Sequence, residues 1–447
     1  MITGRTLAEA TDFYRRARRP LRIGLFGLFG CGNFGNDGSL EAMIQHLRSA
    51  HADADLVTIC AGPEIVTRLY CVRAIPIIKD IAPPPTSRRA RQALTLPTKL
   101  VNFARALKET RKLDALIMPG TGLLDDFTSG VLGIPVDLFL WCLAARITGT
   151  QIMMVSVGAG PIVHPLSRWL MTSAARLATF RSYRDQTSKT FLTRLELDTT
   201  SDPIYPDIAF SLAAPRHKPP ELKPGRLVVG LGLMNYRGWH SNRPDSETLY
   251  QTYLDELTEF AMWLIGGGHG LRLMIGDDVD RETAGAFMKR LKRAAGPAAA
   301  RAVLIEDART LHDVMAAMAR TDVVVATRFH NIVCALKAGR PVLSIGYSEK
   351  NRSLLSSFGL SEKCLDIDTI EAVNLIALFE AIVAERSVCG RRITETLEKL
   401  EHELQEQYRL IDRTLRGAPR QPPWQERVLA TLKPYFDRLR SLPVKRR

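Results

Sequence analysis

The sequence predicts an α/β protein with two domains, each built on a parallel β-sheet. Short apolar segments with the pattern of buried strands alternate with segments of helical periodicity along most of the 447 residues. Loops of glycine and polar residues follow these strand-like segments, as is typical at the carboxyl edge of a parallel sheet. Residues 213–226 are rich in proline and lysine, interrupt the alternation and are interpreted as the linker between the domains.

The first domain is predicted over residues 22–212. Arg22–Phe29 has the pattern of a buried strand, and the glycine-rich loop Gly30–Gly38 leads from it into a helix over Ser39–Ala50. The most apolar long stretch, residues 131–162, contains charged residues, so it is interpreted as a buried helix and a strand and not as a membrane span. The further strand-like segments are DLVTIC, DALIMPG, QIMMVSVGAGP, ATFRSYRD and DPIYPDIAF, and the basic stretch through Lys112 predicts an exposed amphipathic helix.

The second domain is predicted over residues 227–375, from the strand-like segments LVVGLGLM, LRLMIGDD, AVLIED, DVVVAT and PVLSIGY. Residues 376–447 are predicted to form a C-terminal helical extension that ends in a basic tail. Thr394–Arg416 and Trp424–Leu442 each place apolar residues along one helix face. Residues 1–21 form a basic N-terminal segment before the first strand.

The formal net charge of +14 and the pI near 9.6 indicate anionic partners. Phosphorylated substrates, anionic lipid surfaces and nucleic acid all fit that charge. The basic segments lack interleaved aromatic residues and any recognisable nucleic-acid module, which disfavours nucleic acid. A basic amphipathic tail could rest on an anionic membrane face, although such helices more often pack on their own protein.

The seven cysteines show no CxxC or Cys/His spacing, so neither a metal site nor a disulfide scaffold is expected. Scattered free thiols fit a reducing cytoplasm. The first 22 residues have no apolar core of the kind that a signal peptide needs. We therefore expect a cytoplasmic protein, either free or peripheral at the inner face of the membrane.

The loop GCGNFGNDG follows the first strand and formally matches a dinucleotide fingerprint. That fingerprint requires an acidic residue at the end of the second strand, and DLVTIC ends instead in cysteine, alanine and glycine. Small residues allow the backbone to approach an anion or a sugar at the start of the helix. Asn33, Asn36 and Asp37 could bond to substrate hydroxyls, and Asp37 could equally cap the helix.

Two further loops place polar residues directly after a strand. Gly120, Thr121 and Gly122 form a tight turn that could also contact substrate. Arg184 and Asp185 open a helix after another strand. Asp185 is expected to cap that helix, whereas the planar fork of Arg184 could clamp a carboxylate or a phosphate, with a surface salt bridge as the alternative.

Arg328 and His330 lie where a buried strand ends and a helix begins, and Tyr347 and Lys350 follow the next strand. An arginine at such a position costs desolvation energy unless an anion pairs with it. A cleft that gathers Arg184, Arg328 and Lys350 would hold a small, multiply charged anion. His330 would then carry a proton, since the ordinary pKa of imidazole lies near working pH.

The chain resembles the polysaccharide pyruvyl transferase family. The matching segments run in the family's order, over about residues 22–365. They are GNFGNDGSLEAM, PGTGLLDD, VGAGPI, SYRDQTSKTFL, YPDIAFSL and TRFHNIVCALKAGRPVLSIGYSEK. The last segment is the most specific, because it contains the family's Arg-x-His, Gly-x-Pro and Tyr-x-x-Lys pattern.

The resemblance implies a GT-B-like fold of two Rossmann-like domains. It also implies transfer of the enolpyruvyl group of phosphoenolpyruvate onto two hydroxyls of a sugar, in a polysaccharide or a lipid-linked precursor, with no cofactor. The first domain would form the acceptor side and the second domain the phosphoenolpyruvate side. His330 would protonate the methylene carbon, Arg328 and Arg184 would hold the carboxylate and the phosphate, and Lys350 would assist departure of the phosphate.

Two alternatives stay open on the sequence alone. A GT-B-like glycosyltransferase that uses a nucleotide-sugar would have a similar fold and a basic cleft. A non-catalytic envelope-associated scaffold would use the basic tail at a membrane. The combination of Arg328, His330 and Lys350 argues against the scaffold.

Overall fold

The computed structural model describes residues 20–80, 88–126, 130–215, 225–238 and 244–417. These residues form two parallel six-stranded sheets with helices on their faces, which confirms the predicted class of two Rossmann-like domains. Every residue of the central strands β4 and β5 is buried, as expected where helices cover both faces of a sheet.

The first sheet has the strand order β3-β2-β1-β4-β5-β6. The order reverses between β1 and β4, and ligands of open α/β sheets bind beyond the strand ends at such a point. The elements of this domain are β1 Arg22–Gly27, α1 Phe34–Ala50, β2 Asp55–Cys60, α2 Pro63–Tyr70, β3 Arg73–Pro76, α3 Arg88–Thr110, β4 Ala115–Pro119, α4 Ile134–Thr148, β5 Gln151–Val157, α5 Pro165–Leu177, β6 Phe180–Tyr183 and α6 Gln186–Arg194.

The second sheet has the strand order β12-β11-β10-β7-β8-β9, and its order reverses between β7 and β10. The segment with Arg328 and His330 follows β10 directly, so it lies at this second reversal point. The elements are β7 Val228–Leu233, α7 Ser246–Gly266, β8 Gly270–Ile275, α8 Asp280–Arg301, β9 Val303–Ile305, α9 Leu311–Met318, β10 Val323–Ala326, α10 Phe329–Lys337, β11 Val342–Gly346, α11 Glu349–Ser357, β12 Cys364–Asp366, α12 Ala372–Ala384 and α13 Arg386–Arg416.

One predicted strand is wrong. The segment DPIYPDIAF forms a single bridge from Ile204 to Tyr183 and then a short 3-10 helix, Ile208–Ser211. Its two prolines cannot donate to a strand ladder. The side chain of Asp207 accepts a hydrogen bond from the backbone of Ala209 at 3.0 Å and so caps the 3-10 helix.

The apolar stretch 131–162 forms α4 and β5, as predicted. No helix among the described residues is long and apolar enough to cross a membrane. The predicted helix over Trp424–Leu442, the basic N-terminal segment up to residue 19 and most of the linker lie outside the described residues.

The long helix α13 connects the two domains. Near its start, Glu385 pairs with Lys363 of the second domain at 3.0 Å. Near its end, Gln407 donates hydrogen bonds to the hydroxyls of Ser156 and Ser182 in the first domain, at 2.8 and 2.9 Å. The two sheets are therefore joined by the chain's last described element as well as by the linker.

The carboxyl edges of the two sheets meet through the glycine-rich loop. The backbone of Phe34 donates to the carbonyl of Gly276 at 3.2 Å, and the backbone of Asp278 donates to the carbonyl of Gly32 at 3.0 Å. The Asn33 side chain adds a bond to Asp277 at 3.0 Å. Part of the loop that the sequence suggests for substrate thus holds the second domain in place.

Candidate functional site

The centre of the candidate site is the carboxylate of Asp207, which meets residues from both domains. Its Oδ2 lies 3.2 Å from a terminal nitrogen of Arg184 and 3.7 Å from Nε2 of His330. Burial alone would raise the pKa of Asp207, but the neighbouring His330 and Arg184 outweigh burial and hold that pKa at about 2. Asp207 is therefore ionised at any working pH.

Arg184 is positioned by packing as well as by charge. Its guanidinium lies over the ring of Phe329 at 4.1 Å, in a cation–π contact between the two domains. Only 4% of the side chain is exposed, which rules out the surface salt bridge considered above. Gly158 makes room for it, since a Cβ there would lie 2.7 Å from the guanidinium carbon. Asp185 caps α6 through the backbone of Ser188, as expected.

His330 lies in the first turn of α10 and packs against the first turn of α1. A Cβ on Gly35 would lie only 1.9 Å from Nδ1 of the imidazole, so the position of the ring depends on this glycine. The ring of Phe329 contacts the imidazole edge-on, with centroids 5.2 Å apart. His330 belongs to the second domain but therefore packs against Gly35 and Asp207 of the first domain.

Two buried nitrogen atoms at this centre have no hydrogen-bond partner among the described residues. They are Nε of Arg184 and Nε2 of His330. The distances of 3.7 Å from Arg184 Nε to Asp185 and from His330 Nε2 to Asp207 are too long for hydrogen bonds. A buried polar group without a partner costs about 1–3 kcal/mol, so both atoms indicate a place for a polar ligand.

Arg328 is directed to carboxylates of its own domain. Its Nε and one terminal nitrogen donate to the two oxygens of Asp280 at 2.9 and 2.8 Å, and Asp277 lies 3.6 Å away. Burial would lower the pKa of the Arg328 guanidinium, but these two carboxylates raise it above its ordinary value. Arg328 is thus fully charged and already paired.

Lys350 reaches across to the first domain. Its Nζ donates to Asp125 at 2.8 Å, and only 8% of its side chain is exposed. Gly122 and Gly160 border the ammonium group: a Cβ on Gly160 would lie 2.7 Å from Nζ, and one on Gly122 would lie 3.7 Å from it. The loops after β4 and β5 therefore form the seat of this lysine.

Tyr347 connects the arginines electrostatically. Burial raises the pKa of its hydroxyl, and the positive charges of Arg328 and Arg184 act in the opposite direction. Its ring contacts Tyr236 with centroids 6.2 Å apart. Of the predicted cationic residues, Arg184 and Lys350 lie at the interdomain cleft, bound to Asp207 and Asp125, whereas Arg328 pairs with Asp280 of its own domain.

Two cavities open on either side of Lys350. The first cavity, of about 530 Å³, has Arg184, Asp207 and Phe329 among its lining residues, together with Arg352 and Lys350. The second cavity, of about 620 Å³, is lined by the Ala159–Pro161 loop, one face of α6, and residues from the second domain. Gln186, Thr187, Glu349 and Lys350 line both cavities.

The glycine-rich loop residues lie apart from these cavities. Asn33 caps α1 by accepting from the backbone of Asn36 at 3.1 Å, so the cap is Asn33 and not Asp37. Asn36 donates to the carbonyl of Leu28 at 3.2 Å. Asp37 accepts from the backbone of Gly30 at 2.7 Å and is buried. The structure therefore gives these three side chains roles within the loop and at the domain contact.

Asp37 has an unusual acidity that predicts a pH dependence. Burial raises its pKa from an ordinary 3.8 to about 6, and the nearby carboxylates of Asp277 and Asp278 add to the effect. Because the folded state raises this pKa, protonated Asp37 stabilises the fold relative to ionised Asp37. This contribution to the free energy of unfolding is fully present below pH 4 and is lost as the pH rises through about 6.

We expect Asp37→Asn to raise the free energy of unfolding at pH 8 by on the order of 1–3 kcal/mol, because the amide stays neutral and can still accept from Gly30. The gain should shrink toward zero at pH 4. Urea titrations at both pH values measure it. A gain that is equal at pH 4 and pH 8 would contradict the assignment.

Gly120 and Thr121 have left-handed backbone conformations, with φ of 59° and 69°. A Cβ on Gly120 would lie 2.7 Å from the hydroxyl of Ser39, and the side chain of Thr121 is buried. This turn packs the end of β4 against α1. Gly122 is the member of the trio that borders Lys350 and Asp125.

Three carboxylates that pair with these cations were not predicted from the sequence as site residues. Asp207 lies in YPDIAFSL, Asp125 in PGTGLLDD, and Asp280 just beyond LRLMIGDD. Asp125 follows a glycine-rich turn and Asp280 follows β8, whereas Asp207 follows neither a strand nor a glycine-rich turn. No group of three or more His, Cys, Asp or Glu residues in the described ranges is arranged to hold a metal ion, and all seven cysteines are free.

Comparison with known proteins gives a family and a fold. A family model described as polysaccharide pyruvyl transferase matches residues 33–349, which is most of the chain. No curated protein sequence matches the chain significantly. Many solved structures are similar in fold.

Three of these structures illustrate the likeness. The glycotransferase of kitacinnamycin has a TM-score of 0.53 and 14% identity, over 89% of this chain and 100% of its own. HepE of Anabaena, solved with UDP and glucose, has a TM-score of 0.54 and 11% identity, over 88% and 99%. MnaA of S. aureus, solved with UDP, has a TM-score of 0.54 and 9% identity, over 90% and 99%. These likenesses confirm the predicted GT-B-like fold.

Proposed function

The chain belongs to the polysaccharide pyruvyl transferase family, and on that premise we propose that it transfers the enolpyruvyl group of phosphoenolpyruvate to two hydroxyls of a sugar. The observation that carries the proposal is the pair of buried, unpartnered nitrogens of Arg184 and His330 beside the ionised Asp207. A small anion bound there would satisfy the guanidinium, and the imidazole would supply a proton.

The helices around the first cavity favour an anionic donor. Helices α6, α10 and α11 all begin at residues that line it or border it, namely Gln186, Phe329 and Glu349. The positive ends of three helix dipoles therefore point toward the same space. The side chains of the lining, three cations against four carboxylates, give no positive excess, so the attraction for a phosphate and a carboxylate rests on these helix ends and on direct contacts with Arg184, Lys350 and Arg352.

The proposed chemistry begins with proton transfer. His330, as imidazolium stabilised by the negative charge of Asp207, protonates the methylene carbon of phosphoenolpyruvate, and the double bond supplies the electron pair. Positive charge develops on the central carbon, and a sugar hydroxyl attacks it and gives its proton to the now neutral imidazole of His330. Positioning and electrostatic stabilisation by Arg184 and by Lys350 account for most of the rate.

The second half of the reaction closes the ketal. The bond from the central carbon to the phosphate oxygen breaks, and inorganic phosphate leaves with that electron pair beside Lys350. A second hydroxyl of the same sugar then attacks the central carbon and gives its proton to the departing phosphate. Arg328 is neutralised by Asp280 and lines neither cavity, so this proposal gives it no direct contact with the donor.

The direct test is phosphate release from phosphoenolpyruvate, screened over candidate oligosaccharides that include lipid-linked ones. We expect release that depends on one acceptor class, together with an acid-labile pyruvyl ketal in the product by mass spectrometry. Absence of release with every acceptor would favour a non-catalytic scaffold.

We also expect phosphoenolpyruvate to raise the melting temperature of the protein, while UDP-glucose and UDP-N-acetylglucosamine leave it unchanged. A ligand that binds only the folded state stabilises it by about 2.7 kcal/mol at a hundred times its dissociation constant. Differential scanning fluorimetry with each ligand measures the shift, and inorganic sulfate at the same ionic strength is the control. The reverse pattern would indicate a nucleotide-sugar transferase.

A further inference from the structure

We propose that the second cavity is the acceptor subsite and that it takes an uncharged hexopyranose unit, presenting two hydroxyls toward Lys350. This inference rests on the proposed function for the identity of the reaction, but the cavity's chemistry supports a sugar independently. The cavity shares Gln186, Thr187, Glu349 and Lys350 with the first cavity, so a ligand in one can reach a ligand in the other.

The walls of the cavity suit a sugar ring. Tyr236 and Tyr347 contact each other with their ring planes inclined at 46°, and Phe191 adds a third aromatic side chain. Aromatic faces match the apolar C–H face of a pyranose, while polar groups around them can bond to its hydroxyls. The hydroxyl of Tyr236 is oriented by a hydrogen bond of 3.1 Å to Asp368.

The charge of the lining favours a neutral ligand. Its cations, Arg194 and Lys350, are matched by two acids, Glu349 and Asp368. A nucleoside diphosphate would need an excess of positive charge here, and the lining does not supply one. At about 620 Å³, the volume lies within the range typical of small-ligand sites.

Ser348 provides a second and independent observation. It occupies the N-cap position of α11, but its side chain makes no capping hydrogen bond. Its Oγ is buried and has no hydrogen-bond partner among the described residues, yet Ser348 lines the second cavity. A serine hydroxyl at a helix start normally caps the helix, so an uncapped and unpartnered one points to a ligand hydroxyl.

The test uses three probes, the methyl glycosides of galactose, glucose and mannose, and measures their binding by saturation-transfer NMR. Thr190→Trp fills the cavity from α6, and Thr193→Trp places the same bulk on the exposed side of that helix as the matched control. Ser348→Ala removes only the hydroxyl.

We expect transfer to at least one glycoside in the parent protein, loss in Thr190→Trp, retention in Thr193→Trp, and binding weakened about 3- to 10-fold in Ser348→Ala.

Two results would overturn the inference: no transfer to any of the three glycosides in the parent protein, or equal transfer in Thr190→Trp and the parent. Neither result depends on turnover, so failure of the subsite is distinguishable from failure of the proposed function. The melting-temperature shift with phosphoenolpyruvate, measured on the same variants, reports the donor side separately. In a turnover assay, Thr190→Trp should raise the KM for the acceptor and leave the KM for phosphoenolpyruvate unchanged.

Discussion

Replacing His330 with asparagine is expected to lower kcat for pyruvyl transfer by about 10²- to 10⁴-fold, the usual contribution of a general acid. Asparagine keeps a polar group against Gly35 but cannot carry the proton to the methylene carbon. Binding of phosphoenolpyruvate should persist, because Arg184 and Lys350 are unchanged. Steady-state phosphate release gives kcat, and the melting-temperature shift with phosphoenolpyruvate gives binding.

The control for this variant is His402→Asn, which changes an exposed histidine on α13 and should leave kcat unchanged. A complementary variant, Gly35→Ala, keeps the histidine but places a methyl group where the imidazole lies, since the gap to Nδ1 is 1.9 Å. It should also lower kcat. If His330→Asn retained most of the parent's kcat, the proton-donor role would be wrong.

Replacing Asp280 with asparagine is expected to destabilise the fold by about 3–5 kcal/mol, because it leaves the buried guanidinium of Arg328 without its main counter-charge. The side chain of Asp280 is 0% exposed, and it also accepts from the backbone of Asn235 at 2.8 Å. An amide would turn its NH₂ group toward one of these donors. Urea unfolding at pH 7 measures the loss.

The matched control is Asp278→Asn, two residues earlier. Asp278 is exposed and pairs with an exposed arginine, Arg281, at 3.1 Å. Exposed pairs of this kind are worth about 0–1 kcal/mol, so the control should change the free energy of unfolding very little. Equal losses in the two variants would mean that the buried pair with Arg328 is not the cause.

The positions of the candidate side chains in the fold could be predicted because they follow strand ends. Arg184 comes after β6 and His330 after β10, and the carboxyl edges of parallel strands meet at one side of a sheet. The sequence also identified the family through these same segments. The sequence therefore predicted the cationic residues of the candidate site but not the carboxylates that pair with them.

The pairing of these cations with their carboxylates could not be predicted, because each pair joins segments that are separate in the sequence. Lys350 and Asp125 are 225 residues apart along the chain and meet only when the two domains close on each other. Asp207 lies in a segment whose apolar pattern imitates a strand, although its prolines favour a 3-10 turn.

Two short strands at sheet edges were also missed. In β3 no residue is fully buried, so the segment has no apolar period to detect. In β12 only Cys364 is buried, and the strand is three residues long. Such strands form because their backbone can hydrogen-bond to a neighbouring strand. This is a tertiary effect that the local sequence does not reveal.

The contact of His330 with the first domain has a consequence for hydrolysis of the proposed donor. The imidazole belongs to one half of the protein, whereas Asp207 and Gly35, which pack against it, belong to the other. Hinge opening would withdraw the acid from its counter-ion and from the enol phosphate at the same moment. In the proposed reaction, phosphoenolpyruvate would then not be hydrolysed by water while no acceptor is bound and the domains are apart.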